Sequence, residues 1–249
     1  MSLAGNWFRD WFNSPYYHQL YFYRDEKEAA AFVDNLLNYL NPAPKSTMLD
    51  VACGRGRHAI TLAARGFDVT GIDIAPGSIE YAKRFENENL HFYEHDMRLP
   101  FWINYYDYAF NFFTSFGYFR TEREHFDAIR TISNAIKKNG TFVLDFINTH
   151  YAEEHLVPES TKEIDGVVFN MKRWSDDKHL YKKIFIEDKN INENCEYTER
   201  IAKISLSDFT RMFSKYNLEM QQVFGEYDLH AFNEKTSPRL ILVAKKIIH

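Results

Sequence analysis

Between Thr47 and Phe146 short apolar runs alternate with helical stretches, and no other feature restricts the fold as much. Thr47–Val51 reads as a strand, and Arg57–Arg65 as a helix ended by Gly66. Phe67–Ile72 is a second strand, followed by a helix from about Gly77 to Phe85. His91–Glu94 is a short strand, and an irregular loop containing Pro100 leads to another at Tyr106–Phe112. A helix over Glu122–Lys137, closed by Asn139-Gly140, precedes a strand at Thr141–Phe146. Strands and helices at this pitch make right-handed βαβ units. The expected fold class is therefore α/β, a parallel sheet with helices on both faces.

The flanks read differently. Residues 6–23 are dense in aromatics, among them Trp11, Phe12, Tyr16, Tyr17, Phe22 and Tyr23. From Asp25 to Leu40, Ala29, Phe32, Val33, Leu36 and Leu40 keep helical spacing, an amphipathic helix that Asn41-Pro-Ala-Pro breaks. After Asn148 the pattern changes: Val167–Trp174, Leu180–Glu187 and Glu196–Ile204 read as three consecutive strands, joined by polar turns at Ser175-Asp-Asp and Asp188–Glu193. These should form an antiparallel meander. A helix with Ser207 as its N-cap follows, then two strands near Glu219–Phe224 and Arg239–Lys245. The expected division is an aromatic and helical cap over 1–40, a core over 41–150 and 205–249, and the meander as an insert over 151–204. Such an insert lies over the carboxyl ends of the parallel strands. It either roofs a pocket there, with Arg173 and Trp174 or Arg200 reaching inward, or offers a surface for a homodimer.

Formal charge is −5, with acidic and basic residues interspersed and no run of Lys or Arg. That balance argues against nucleic acid or a membrane surface as a partner. Cys53 and Cys195 make neither a secreted disulfide framework nor a four-ligand zinc site. His91 and His95 are four apart with no third ligand in sight, so no metal is expected. No cationic-then-apolar leader is visible and no apolar run reaches membrane-spanning length, so the expected setting is cytoplasmic.

The chemistry concentrates at Asp50-Val-Ala-Cys-Gly-Arg-Gly-Arg-His58, between the first strand and its helix. Gly54 and Gly56 permit backbone conformations closed to other residues and let a ligand approach the main chain. The helix that follows aims its free N–H groups at the same place, which suits a carboxylate or a phosphate. Strand two ends at Gly71-Ile-Asp73, where an acidic side chain can accept both hydroxyl hydrogens of a ribose. Asp96, in His95-Asp-Met97, follows strand three and stands where an adenine edge would lie. Three acids at successive strand ends beside a glycine turn point to a nucleotide-bearing cofactor.

Together, Asp50–His58, Val69-Thr-Gly-Ile-Asp73, His95-Asp-Met97 and Gly140-Thr-Phe-Val-Leu-Asp145 resemble the ordered motifs of class I S-adenosylmethionine-dependent methyltransferases. The likeness runs from about residue 26 to 148, and the last two strands fit that family's antiparallel hairpin. Trp11-Phe12 and Tyr16-Tyr17 look like a small-molecule-type subgroup whose N-terminal segment covers the cofactor. The resemblance implies a three-layer Rossmann-like methyltransferase fold: a mostly parallel seven-stranded sheet with an antiparallel last strand, here with the meander inserted. It implies S-adenosylmethionine as cofactor, S-adenosylhomocysteine as product and a small-molecule acceptor. Asp50 and the backbone around Ala52, Cys53 and Gly54 would hold the methionine end. Asp73 would bind the ribose, Ile74 would pack on adenine, and Asp96 and the Met97 N–H would meet its edge. Asn111 and Phe112 would lie beside the sulfonium, and Tyr17 would reach the cofactor carboxylate. Ala52 departs from the pattern, since the family's first loop glycine stands there.

Two other readings share these residues. A nicotinamide-dependent dehydrogenase would want G-x-G-x-x-G, and Ala59 stands in the third position. Asp50, four residues before the first glycine, favours a cofactor that bears an ammonium instead, and the antiparallel ending also favours the methyltransferase. A non-catalytic binding or regulatory protein would keep the fold without turnover. The turn after strand four, Asn111-Phe-Phe-Thr-Ser-Phe-Gly117, lacks the prolines of DNA amino-methyltransferases and is apolar enough to line a small pocket. Tyr17, Tyr118, Asp145 and His150 are candidate bases, none singled out, and His58 and Cys53 read as packed residues.

Overall fold

The computed structural model describes residues 7–21, 26–189 and 193–247. Phe22, Tyr23 and Asp25 lie outside them, as does part of the turn expected over Asp188–Glu193. Helices α1 (Trp7–Phe12), α2 (Pro15–Tyr21) and α3 (Glu26–Leu40) precede strand β1 (Thr47–Val51). Then come α4 (Arg57–Ala64), β2 (Asp68–Asp73), α5 (Pro76–Ala82), β3 (Leu90–Glu94), β4 (Tyr106–Asn111), α6 (Glu122–Ala135) and β5 (Ile136–Ile147). A short α7 (Thr149–Glu154) leads into β6 (Glu159–Ile164), β7 (Val167–Ser175), β8 (His179–Asp188) and β9 (Glu193–Ala202). Helix α8 (Leu206–Lys215) and strands β10 (Leu218–Phe224) and β11 (Arg239–Lys246) complete the described chain. No described helix is long and apolar enough to cross a membrane.

The main sheet has seven strands in the order β10-β11-β5-β4-β1-β2-β3. β1 pairs in parallel with β2 and β4, while β11 runs antiparallel to both β5 and β10. The expected seven-stranded sheet with an antiparallel last strand is what the chain forms. Helices α3, α4 and α5 cover one face, where Phe32, Leu36, Leu62 and Ile79 are buried against Met48, Val69 and Phe110. On the other face Ile129, Ile132, Phe209 and Phe213 from α6 and α8 bury Leu49, Phe142 and Leu144. Burying each of these side chains contributes about 1.5–3 kcal/mol, so both layers are held by the sheet between them.

Among the boundaries that differ from expectation, two have a plain local cause. Helix α6 stops at Ala135 rather than Lys137, because the chain already enters β5 at Ile136. The cap of α8 is Ser205 rather than Ser207: its hydroxyl accepts from the Asp208 N–H while Asp208 reaches back to the Ser205 N–H. This reciprocal pair is a capping box, which the Ser-Leu-Ser-Asp sequence allows at only one of its two serines.

The insert is a separate antiparallel sheet in the order β6-β7-β8-β9, four strands rather than the three expected. β6 reads Glu-Ser-Thr-Lys-Glu-Ile, mostly exposed, and an edge strand with no apolar alternation leaves no periodic signal. One face of this sheet is apolar: Phe169, Met171, Ile184 and Ile186 pack with Trp11 and Leu20 from α1 and α2. The aromatic N-terminal segment thus bridges the two sheets. On its other side Asn13 accepts from the Gly77 N–H at 2.9 Å, and Arg9 pairs with Glu94 at 2.8 Å.

Candidate active site

The loops that follow β1, β2, β3 and β4 meet at the carboxyl edge of the parallel strands, the usual ligand crevice of open α/β sheets. After β1 the chain turns through left-handed conformations, with φ of +58° at Ala52, +56° at Gly54 and +84° at Gly56. Gly56 has no alternative, since a Cβ there would sit 2.6 Å from the Phe92 ring. Ala52 adopts the conformation glycine would adopt freely, at a cost of roughly 1–2 kcal/mol. The departure at Ala52 is therefore accommodated by backbone strain rather than by a different turn.

Asp73 ties this loop to the next. Its Oδ2 accepts from the Gly54 N–H and its Oδ1 from the Ala75 N–H, both at 2.8 Å. Burial raises its pKa, and those backbone donors pull in the opposite direction. Asp50 lies deeper. It is 1% exposed, and its Oδ2 has no hydrogen-bond partner among the described residues. Burial pushes its carboxyl up to about 8, against the Ala59 N–H and Arg57, with Asp73 adding to the rise. A buried carboxyl oxygen without a donor is costly and is the kind of vacancy a ligand cation fills. Beside Gly54 the space is open: a Cβ there would meet nothing within 4 Å. An acid for an ammonium, bare backbone for a carboxylate and a second acid for a ribose make a donor set that fits S-adenosylmethionine.

A cavity of about 840 Å³ opens from this edge. Of the residues expected in the site, Tyr17, Ala52, Gly54, Asp73, Ile74, Asp96 and Met97 line it. Asp50, Cys53, Asn111 and Phe112 stand behind its wall, all buried. Asn111 donates to the Val51 carbonyl at 2.9 Å and so clamps β4 to β1, while Phe112 packs on Phe32 and His58. The surface places expected for these two are taken by Phe113, Thr114 and Ser115, which line the cavity. Positive φ at Phe113 and Thr114 turns the chain there. Cys53 is a protonated, packed thiol, its pKa raised first by burial and then by Asp50 and Asp73. His58 is a buried ring between Phe112 and Phe113, its pKa driven well down by burial.

Asp96 is not a free acceptor. Arg98 sits between Asp96 at 2.6 Å and Glu124 at 2.5 Å. Burial would raise the Asp96 pKa, but the hydrogen bonds from Arg98 hold it below the ordinary value. The carboxylate stays ionised and, with two lone pairs on each oxygen, keeps capacity for a further donor.

The far wall was not legible as a site. Glu199, only 6% exposed, accepts from the Trp11 indole N–H at 2.8 Å and from the Tyr21 hydroxyl at 2.7 Å. Lys182 approaches the other Glu199 oxygen at 3.7 Å and donates to the Tyr21 hydroxyl. Arg239 binds Asp145 at 2.6 Å and Thr114 at 2.9 Å, and Asp145 also accepts from the Phe113 N–H. Tyr21, Lys182, Glu199 and Arg239 all line the cavity. They come from four separate segments, so no motif in the sequence could group them.

Of the candidate bases, Asp145 is committed to Arg239 and fully buried, and His150 is half-exposed beside Glu154. Tyr17 and Tyr118 do line the cavity. Arg239→Met is expected to destabilise the fold by about 3 kcal/mol in urea unfolding, because it strands the Asp145 carboxylate. Adding Asp145→Asn should restore most of that loss, a non-additivity that reports the pair.

A family profile described as a methyltransferase domain matches residues 43–199. A Bacillus subtilis protein provisionally named methyltransferase YqeM is 27% identical over 120 residues, 47% of this chain and 48% of that protein. The chain thus spans about half the length of that relative. In three dimensions it resembles an S-adenosylmethionine-dependent methyltransferase from Clostridium acetobutylicum, with a TM-score of 0.78 at 16% identity over 94% of this chain and 96% of the other. It also resembles CalS10, an amino pentose methyltransferase from Micromonospora echinaspora in a structure with bound cofactor, at TM-score 0.69 and 20% identity over 94% and 97%. With the profile covering well over half of the chain, this protein belongs to the class I S-adenosylmethionine-dependent methyltransferases.

Proposed function

We propose that the methyl group goes to a small-molecule acceptor held between the parallel-strand edge and the inserted sheet. The observation that carries this reading is the continuity of one cavity from Gly54, Asp73 and Asp96 to Arg173, Lys182 and Glu199 on the insert. At about 840 Å³ it falls within the range of small-ligand sites. In this reading residues 1–40 and 151–204 are the two covers of the core at 41–150 and 205–249. Cys53 and Cys195, two cysteines far apart in the sequence, support a reducing, cytoplasmic setting.

When bound, S-adenosylmethionine would supply a methyl on a sulfonium for in-line displacement by a nucleophilic acceptor, the methyl–sulfur bond breaking as the new bond forms and S-adenosylhomocysteine leaving. The chain's part is to bind, orient and exclude water. Asp50, from behind the wall, would answer the ammonium on giving up its proton, the Ala52, Cys53 and Gly54 backbone would take the carboxylate with Tyr17, and Asp73 would take the ribose. Ile74, Asp96 and Met97 hold the adenine. Phe113 and Thr114, seated on Asn111 and Phe112, stand where the sulfonium would be. Fixing acceptor and methyl at near-attack distance lowers the barrier by ~7–11 kcal/mol without covalent help. The aromatic cap formed by Phe8, Phe12 and Tyr17 excludes water from that space.

The test is calorimetric titration with S-adenosylhomocysteine, followed by screening of small metabolites for its release from S-adenosylmethionine. Saturable binding with turnover of a metabolite is the expected result. Binding with no turnover on any acceptor class would favour a non-catalytic role, and no binding would remove the cofactor assignment to these residues.

A further inference from the structure

The inward face of the inserted sheet carries one row of charge. Arg173 on β7 stands opposite Lys182 on β8, and Lys182 opposite Glu199 on β9. Directly opposed residues in antiparallel strands share a face, and all three line the cavity. Above and below this row the same face is apolar, with Met171, Ile184 and Tyr197 on one side and Leu180 and Ile201 on the other.

Two cations and one carboxylate leave the row with an excess positive charge. Lys182 and Glu199 answer each other at 3.7 Å. Arg173 bonds only neutral groups: Ser160 Oγ at 2.9 Å, the Val157 carbonyl at 3.3 Å and the Met171 sulfur. Among the described residues it has no carboxylate partner. Like charges directly opposed across strands are unfavourable, and more so in a cavity wall than in open water. In this row Lys182 turns toward Glu199 on β9 while Arg173 turns toward Ser160 on β6, which leaves the Arg173 guanidinium in the cavity wall with no acid among the described residues to answer it, a place suited to an anion. Arg239, the remaining cation of the cavity, is already matched by Asp145. At the opposite end Asp73 and Asp96 would repel an anion, which fixes the direction in which a charged acceptor enters.

Building on the reading above, we propose that the acceptor is anionic, with a carboxylate or phosphoryl group bound by the Arg173 guanidinium beside Lys182 and Ser160. The planar fork of arginine suits either oxyanion through two parallel hydrogen bonds. The acceptor's nucleophilic atom then lies at the other end of the molecule, toward Phe113 and Thr114.

The probes are inorganic phosphate and acetate, titrated by NMR into protein saturated with S-adenosylhomocysteine, for the wild type, Arg173→Gln and Arg173→Lys. The wild type should bind at least one probe. Arg173→Gln should weaken it by about tenfold or more, Arg173→Lys by less, and both should keep the wild-type affinity for S-adenosylhomocysteine. Preference for phosphate or for acetate identifies the acceptor's group. Equal probe binding by the wild type and Arg173→Gln, or no binding of either probe by the wild type, would overturn the inference. Loss of S-adenosylhomocysteine binding in Arg173→Gln would also overturn it, by making Arg173 part of the scaffold. Failure of the wild type to bind S-adenosylhomocysteine would instead strike the reading on which this rests.

Discussion

Asp73→Ala is expected to weaken S-adenosylhomocysteine binding by on the order of 100-fold or more, measured by calorimetry at neutral pH. Two hydrogen bonds from ribose hydroxyls to a carboxylate contribute about 1.5–3 kcal/mol each, and tenfold in affinity is 1.4 kcal/mol. The structure adds a second component. Asp73 also accepts from the Gly54 and Ala75 N–H groups, so its removal leaves two backbone donors unanswered and loosens the loop itself. Asp73→Asn separates the two. It keeps one backbone acceptor and the shape of the loop, so it should retain wild-type stability more nearly than alanine while still losing most of the affinity. Wild-type affinity in both variants would refute the role of Asp73.

The second large effect concerns Asp50 and pH. In the cofactor-free protein its carboxyl titrates at about 8, far above an ordinary value near 3.8. Between those two values the folded chain holds a proton that the unfolded chain has released. Stability from this group is therefore fully present below about pH 4 and is lost as pH rises to about 8, by ~1.4 kcal/mol per unit inside the window. Asp50→Asn carries no such proton. The difference in unfolding free energy between wild type and Asp50→Asn should shift steadily in favour of the variant from acid to mildly alkaline pH. Parallel pH profiles for the two proteins would show that Asp50 is ionised in the fold.

Periodicity made the core readable, because each buried strand from β1 to β5 carries its own apolar run and each helix its own stripe. Thus Asp50 and Asp73 could be located at strand ends, and Ala52 recognised as the odd residue of the turn. The sequence did not reveal how loops steer side chains after a strand ends. Asn111 and Phe112 stand behind the wall, and the two left-handed residues that follow them, Phe113 and Thr114, line the cavity instead. In the insert the limit was parity. Val-Val-Phe-Asn-Met-Lys-Arg-Trp-Ser has no clean alternation, yet adjacent residues of a strand point to opposite faces. Arg173 faces the cavity, whereas Trp174 is exposed and pairs with Tyr181, which in turn stands opposite Arg200. Of the three residues expected to reach inward, Arg173 alone lines the cavity. Glu199 escaped notice because its partners Trp11 and Tyr21 lie 188 and 178 residues away.

That separation has a consequence for how the protein is made. The indole of Trp11 is fully buried, packed on Tyr17 of the cap and on Tyr197 and Glu199 of the inserted sheet. As the chain emerges from the ribosome, the core contacts of this segment, at Gly77, Glu94, Tyr118 and Phe119, come first, and the partners of the Trp11 indole on β9 come later. The Trp11 indole therefore waits for its last partners through most of translation, a window in which nascent chains are prone to association. The crevice at the strand edge can form and bind cofactor during that interval, since β1 to β5 precede the insert. The order of synthesis thus joins the cap to the inserted sheet only after the strands β1 to β5 have been made.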